Sequence, residues 1–196
     1  MSWLEPEVPA RCRLRISQTE ESAMDQQTVR KTCKYTLQPT AAQQRELERV
    51  LGRCRQLSTV ALEQRLTAWQ RRQVCVSRSD QAAELQAIGA EFAEYAALHR
   101  HVLHDVLARL DRTSQAFFRR VQRGERAGFP RCRGRERFQS CTYQEVGTGA
   151  RLDHGVLVLS TIGRRAVRWS RPLQGTPKTK TGTLSHEADG WYACSL

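Results

Sequence analysis

From Val29 to Gln38 the chain alternates. Val29, Cys33, Tyr35 and Leu37 fall on one side of an extended backbone and Arg30, Thr32, Lys34, Thr36 and Gln38 on the other, with Lys31 the exception. A period of two with one apolar face predicts a half-buried strand, and Pro39 ends it. A lone strand is not stable in water. No second strand comes next. A long stretch of helical period does, and short strands return only after it. The first strand must therefore find its partners in the last third of the chain. This order predicts an α+β fold: a small β-barrel or sandwich interrupted by a helical bundle or hairpin insertion.

Thr40 opens the helical block. Its hydroxyl can cap the first turn, and Gln43 three residues on completes a capping box. Leu47, Val50, Leu51, Cys54, Leu57, Ala61, Leu62 and Trp69 then recur at mostly helical spacing. A break is expected near Ser77–Asp80, with Ser79 as the next cap. Leu85, Ile88, Phe92 and Tyr95 mark a second helical stretch, and Leu98 to Val121 a third, with Gly124 suited to its C-terminus. Strands are expected around Ser140 and Thr142, then at Val156–Ser160, Ala166–Trp169, Thr179–Leu184 and Trp191–Cys194. Turns are expected at Gly147–Gly149, Asp153–Gly155, Pro172–Pro177 and Asp189–Gly190. The expected divisions are a disordered N-terminal extension over 1–27, the first strand over 28–40, a helical region over 41–126, and an arginine-rich loop with strands over 127–196. Met24 is a credible alternative start.

Charge narrows the function. Arg119 to Arg137 reads RRVQRGERAGFPRCRGRER, with eight arginines, two glutamates and no lysine. Residues 112–171 hold fourteen arginines against four carboxylates, which accounts for ten of the twelve net positive charges of the chain. Such concentration implies a polyanionic partner. Arginine favours phosphate, because its planar fork donates two hydrogen bonds at once and stacks on bases. Gly124, Gly128, Pro130 and Gly134 break the run into a loop, and Phe129 and Phe138 tether it. The expected nucleic-acid-binding residues are Lys34, Arg119, Arg120, Arg123, Arg126, Arg131, Arg133, Arg135 and Arg137, with Phe129 and Phe138 as candidate stacking rings. Phe117 and Phe118, at helical spacing, are expected to pack in the core.

Other classes are disfavoured. No apolar run approaches the ~18 residues of a membrane span, and the first 23 residues lack the apolar middle of a signal peptide. Seven cysteines without a C-x-x-C argue against a disulfide framework or zinc knuckle, so reduced thiols and a cytoplasmic location are expected. His99, His101 and His104 do not share one helix face, which argues against a metal site. The carboxylates of the β-rich part are few, and Asp153 and Asp189 precede glycines in turn signatures. No active site, cofactor, metal or small-molecule substrate is therefore expected from these residues.

The pieces together resemble the N-terminal half of the TnpB/OrfB family of transposon-encoded RNA-guided nucleases. The resemblance runs from about Thr28 to the end. It is carried by the basic strand, by Leu37, Pro39, Thr40 and Gln43, and by Cys54-Arg55 with Ala61-Leu62. Further on, the Ala116–Arg119 helix end, Gly128–Arg131, Arg133 and the Ser140 strand continue it. It implies a wedge-like barrel split by a helical recognition lobe whose first helices are described as helix-turn-helix. It also implies guide-RNA and DNA partners and a role linked to DNA transposition. Thr59 departs from the family's Asn, and Cys132 and Cys141 from its aromatics. The family's RuvC-like nuclease and its carboxylates would follow Leu196, so the resemblance implies a truncated member without its own catalysis. The alternatives are a stand-alone non-catalytic DNA-binding regulator and an inert transposon relic or helical scaffold.

Overall fold

The computed structural model describes residues 32–144, 150–153, 156–159, 163–168 and 181–195. All belong to one unit, Lys31–Leu196. The expected N-terminal extension over 1–27 and the turns at Gly147–Gly149 and Pro172–Pro177 lie outside the described residues.

The first strand, β1 (Cys33–Leu37), keeps the expected alternation, with Tyr35 and Leu37 buried and Lys34 and Thr36 exposed. Thr40 then caps α1 (Ala41–Arg72). Its hydroxyl accepts from the Gln43 amide while the Gln43 side chain accepts from the Thr40 amide, the reciprocal arrangement the sequence predicts. The helix runs 32 residues without a break, about 48 Å at 1.5 Å per residue. Gln73 ends it in the left-handed conformation at φ 53°.

The second cap is Ser77 rather than Ser79. Ser77 and Asp80 bond reciprocally at the start of α2 (Arg78–Glu91), because Asp80 stands three residues after Ser77, where a capping box needs its acceptor. The second helical stretch is itself broken. Phe92 leaves helical geometry between α2 and α3 (Ala93–Ala96) and is 45% exposed, so Tyr95 enters the core and Phe92 does not. The fourth helix, α4 (Arg100–Gln122), ends as expected at Gly124, which adopts φ 71° and donates to the Val121 carbonyl over 2.9 Å.

A 3-10 turn at Arg135–Arg137 leads into the later strands: β2 (Ser140–Tyr143), β3 (Ala150–Asp153), β4 (Val156–Leu159), β5 (Gly163–Arg168), β6 (Gly182–Glu187) and β7 (Gly190–Ser195). β3 is a strand beyond those expected, since Ala-Arg-Leu-Asp carries too little alternation to mark one. The sheet order is β2-β6-β7-β1-β5-β4-β3, with every pair antiparallel. β1 lies between β7 and β5, with Leu37 opposite Trp191 on one side and Val167 on the other. The architecture is thus α+β, with the helices lying in sequence between one strand and the strands that flank it. Among the described residues the ladder is open, ending at β2 and β3.

One hydrophobic core is shared by helices and sheet. Leu37, Leu47, Cys54, Leu62, Val102, Leu107, Tyr143, Leu159, Leu184 and Trp191 belong to it. Around it, polar side chains lock the helices. Arg65 donates to Gln81, Asp111 and Ser114 at 2.9–3.2 Å, joining α1, α2 and α4. Gln81, 3% exposed, donates to the Ala61 carbonyl over 2.8 Å. Cys141 is buried in the core, whereas Cys132 is exposed. The expectation of reduced thiols throughout needs correction at one position. Cys75 is disulfide-bonded, while Cys33, Cys54, Cys132, Cys141 and Cys194 are free. An odd count and the lack of C-x-x-C argue against a framework of bridges but leave room for a single one.

Candidate nucleic-acid interface

The arginine segment begins inside a helix and leaves it by a fixed exit. Arg119 and Arg120 occupy the last turn of α4, where a cation favours the negative end of the helix dipole. Arg123 is the cap, and the Glu125 amide closes back on the Arg120 carbonyl over 3.0 Å. The chain then runs irregularly to Gly134, whose carbonyl accepts from Arg137 and Phe138 at 3.1 Å to form the 3-10 turn.

Two rings pin this segment, in different ways. The Phe129 ring sits 5.0 Å from that of Phe117, edge to face, and Phe117 in turn meets Phe118 at 5.3 Å. Phe129 is nonetheless 44% exposed, so part of it stays open to solvent while the contact with Phe117 holds it. Phe138 is 8% exposed and lies within the core. Its expected role as a stacking ring is therefore corrected. The 3-10 turn carries it inward, next to the buried alternation of β2.

Arg119, Arg120, Arg123, Arg126, Arg131, Arg133, Arg135 and Arg137 are all exposed. Two of them make weak surface pairs: Arg123 with Glu125 at 4.0 Å and Arg135 with Glu48 at 3.8 Å. Such exposed pairs contribute little. Arg119, Arg120, Arg126, Arg131, Arg133 and Arg137 enter no ion pair among the described residues. These cations are free for a polyanion. Lys34 is not in that position. Its ammonium lies 2.7 Å from Glu187 and 3.9 Å from the centre of the Tyr192 ring, and the bond to Glu187 holds it above the usual lysine range. Its charge is met within the sheet, which separates it from the arginine set.

The α1 surface supplies arginines that the sequence reading did not single out. A groove of about 530 Å³ lies between α1 and the 135–139 segment. Arg45, Arg49 and Arg55 line it from the helix, Arg135 from the 3-10 turn and His186 from β6. The signal was present in the sequence, since Arg45 and Arg49 are one helical turn apart on the face opposite Leu47 and Cys54. The acids of α4 are engaged elsewhere. Asp105, 4% exposed, has Arg109 Nε 2.6 Å from its Oδ2, and Asp111 has Arg65 at 3.2 Å. His99 caps α4, its Nδ1 accepting from the His101 amide over 3.4 Å. No helix among the described residues is long and apolar enough to cross a membrane.

Two comparisons with known proteins place the chain among nucleic-acid-related sequences by similarity. Residues 24–73 match the family profile of the helix-turn-helix domain of IS605 OrfB proteins. The described part of that match is β1 followed by the single helix α1. Over 174 residues the chain is 30% identical to a Streptomyces pristinaespiralis protein named as an RNA-guided DNA endonuclease; the match covers 87% of this chain and 42% of that relative. The chain therefore spans less than half the length of the curated relative it matches. The resemblance read from the strand and the capped helix is thus matched by similarity to the OrfB helix-turn-helix domain over residues 24–73 and to an RNA-guided DNA endonuclease over most of the chain.

Proposed function

We propose that this chain binds nucleic acid, guide RNA or DNA, in a TnpB-like role linked to DNA transposition, and that residues 1–196 contribute binding rather than catalysis. One observation carries the reading: six exposed arginines without an ion-pair partner among the described residues, on a segment anchored at both Phe129 and Phe138. A purely solubilising surface does not need arginine without lysine, nor a ring held half-open beside it. In this reading the strands act as a wedge-like split barrel and the helices as a recognition lobe, which together hold an RNA–DNA duplex. The partly buried acids of α4 serve arginine pairing, which supports a binding rather than a bond-breaking part.

A second reading, a stand-alone DNA-binding regulator, is favoured by the helix-turn-helix match over 24–73. Binding of labelled single-stranded RNA, single-stranded DNA and duplex DNA of equal length, each over a salt series, separates the two. The lead reading expects RNA to bind at least as tightly as duplex DNA, with affinity falling steeply as salt rises. Preference for one duplex sequence, with weak RNA binding, selects the regulator. No salt-dependent binding to any of them rejects both.

A further inference from the structure

Gly52 stands in the interior of α1, twenty residues from its end, where glycine weakens a helix relative to alanine. Packing does not explain it, because a Cβ there would meet nothing within 4 Å. Nor does backbone conformation, since Gly52 is not among the glycines with positive φ. Its surroundings are informative. Arg45, Arg49 and Gly52 fall within an arc of about 60° on the helical projection, opposite the buried Leu47 and Cys54. Gly52 forms part of the 530 Å³ groove, and it also borders a second depression lined by Arg49, Arg53 and Arg55. The bare backbone is thus a notch flanked by guanidinium groups, with Glu48 and Glu136 also lining the larger groove.

We propose that this notch is a seat for a phosphodiester backbone, laid across Gly52 and gripped by Arg45, Arg49 and Arg55 from α1 and by Arg135 from the arginine segment. The proposal rests on the nucleic-acid reading above and extends it to a helix face outside the arginine loop. Arg45 and Arg55 enter no ion pair among the described residues. Arg49 pairs only with Glu46, at 2.6 Å on the surface, and Arg135 only with Glu48, at 3.8 Å. A phosphate can replace such exposed carboxylates with bidentate, charge-assisted bonds. From Arg45 to Arg55 is about 15 Å along the helix, enough for roughly four nucleotides of one duplex strand at ~3.4 Å each. Arg135 makes the groove continuous with the arginine segment, so one polyanion can engage both.

Gly52 gives a test in which stability and binding move apart. Gly52→Ala and Gly52→Leu place better helix formers at an open position, so both variants should keep or raise the Tm. Affinity for a labelled 20-nucleotide RNA and for a 20-base-pair duplex should nevertheless fall, by about tenfold or more for Gly52→Leu and less for Gly52→Ala. The pair Arg45→Gln and Arg55→Gln should reduce the log–log salt slope by about 0.7–0.9 for each phosphate no longer neutralised. If the native chain binds these probes and Gly52→Leu binds them equally well, the seat is wrong and the wider reading stands. If the native chain binds neither probe, both fall. Displacement of RNA by polyglutamate at equal charge concentration would overturn the seat in favour of an acidic peptide.

Discussion

Arg109 reaches from α4 to β2, its Nη1 donating to the Ser140 carbonyl over 2.9 Å and its Nη2 to the Thr142 hydroxyl over 2.5 Å. The same guanidinium faces Asp105, with Nε 2.6 Å from Oδ2, a contact of charge rather than of an aligned hydrogen bond. One side chain therefore bonds the helical block to the sheet and compensates a buried acid. Arg109→Met should cost about 3–5 kcal/mol, because it leaves Asp105 charged and without its nearest cation. The double variant Arg109→Met/Asp105→Asn should recover a good part of that loss. Urea unfolding of the two measures it, and equal destabilisation of both would show that the buried charge is not the cause.

The two tethering rings should separate by function. Phe138→Ala removes a core ring and should destabilise by about 3–5 kcal/mol. Phe129→Ala removes a half-exposed ring and should change stability far less, while weakening single-stranded RNA binding through lost stacking of about 1–3 kcal/mol. Thermal unfolding and fluorescence anisotropy on both variants decide this. Equal effects on binding at matched stability would deny Phe129 its role.

Neutralising Arg131, Arg133 and Arg137 together should lower the salt slope by about 0.7–0.9 for each phosphate they hold, with little change in Tm, since none of the three is ion-paired among the described residues. Lys34→Gln should leave the slope nearly unchanged, because Glu187 and Tyr192 already engage that ammonium. A slope that responds to Lys34 and not to the three arginines would reverse the assignment.

Thiol chemistry should follow burial. Cys132 is exposed, whereas burial pushes the Cys141 thiol up to about 12 and the Cys54 thiol well above its ordinary value. The thiolate is the reactive form. Maleimide labelling of the native chain near pH 7.5, read by mass spectrometry, should therefore modify Cys132 rapidly and leave Cys54 and Cys141 unmodified until unfolding. Fast labelling of Cys141 would show the α4–β2 contact to be open.

The capping boxes predict a local pH effect. The Ser77 hydroxyl and amide hold the Asp80 carboxyl below its usual range. A carboxyl depressed in the folded state stabilises above its unfolded value, and that contribution is lost as pH falls below about 4. Ser77→Ala should therefore lessen the acid-side fall in stability. Thr40→Ala, whose partner Gln43 does not titrate, should cost about 1 kcal/mol at every pH. A Thr40→Ala loss confined to acid would contradict this account.

The sequence made much of this readable. The Thr40–Gln43 box, the alternation of β1, the Gly124 exit and the placement of β1 beside late strands all arise from local chemistry or from the need to pair a lone strand. Other features depend on distances between elements that no spacing reveals. Phe138 and Phe129 look alike in a basic loop, yet the 3-10 turn buries one and leaves the other half open. Lys34 reads as a free cation until β6 brings Glu187 beside it. The α1 arginines read as an ordinary solvated face until the 135–139 segment closes a groove over them.

The central position of β1 also sets an order of events during synthesis. Lys34 pairs with Cys194, and at ~5–20 residues per second the ribosome takes roughly ten to thirty seconds to make the chain between them. The helices from Ala41 to Gln122 draw on nearby contacts and can form meanwhile. The first-made strand waits with both edges unpaired, in the state most prone to join another chain. The exposure of β1 to misassembly is thus greatest before β7 leaves the ribosome, and a chaperone that covers residues 33–37 would act in that interval.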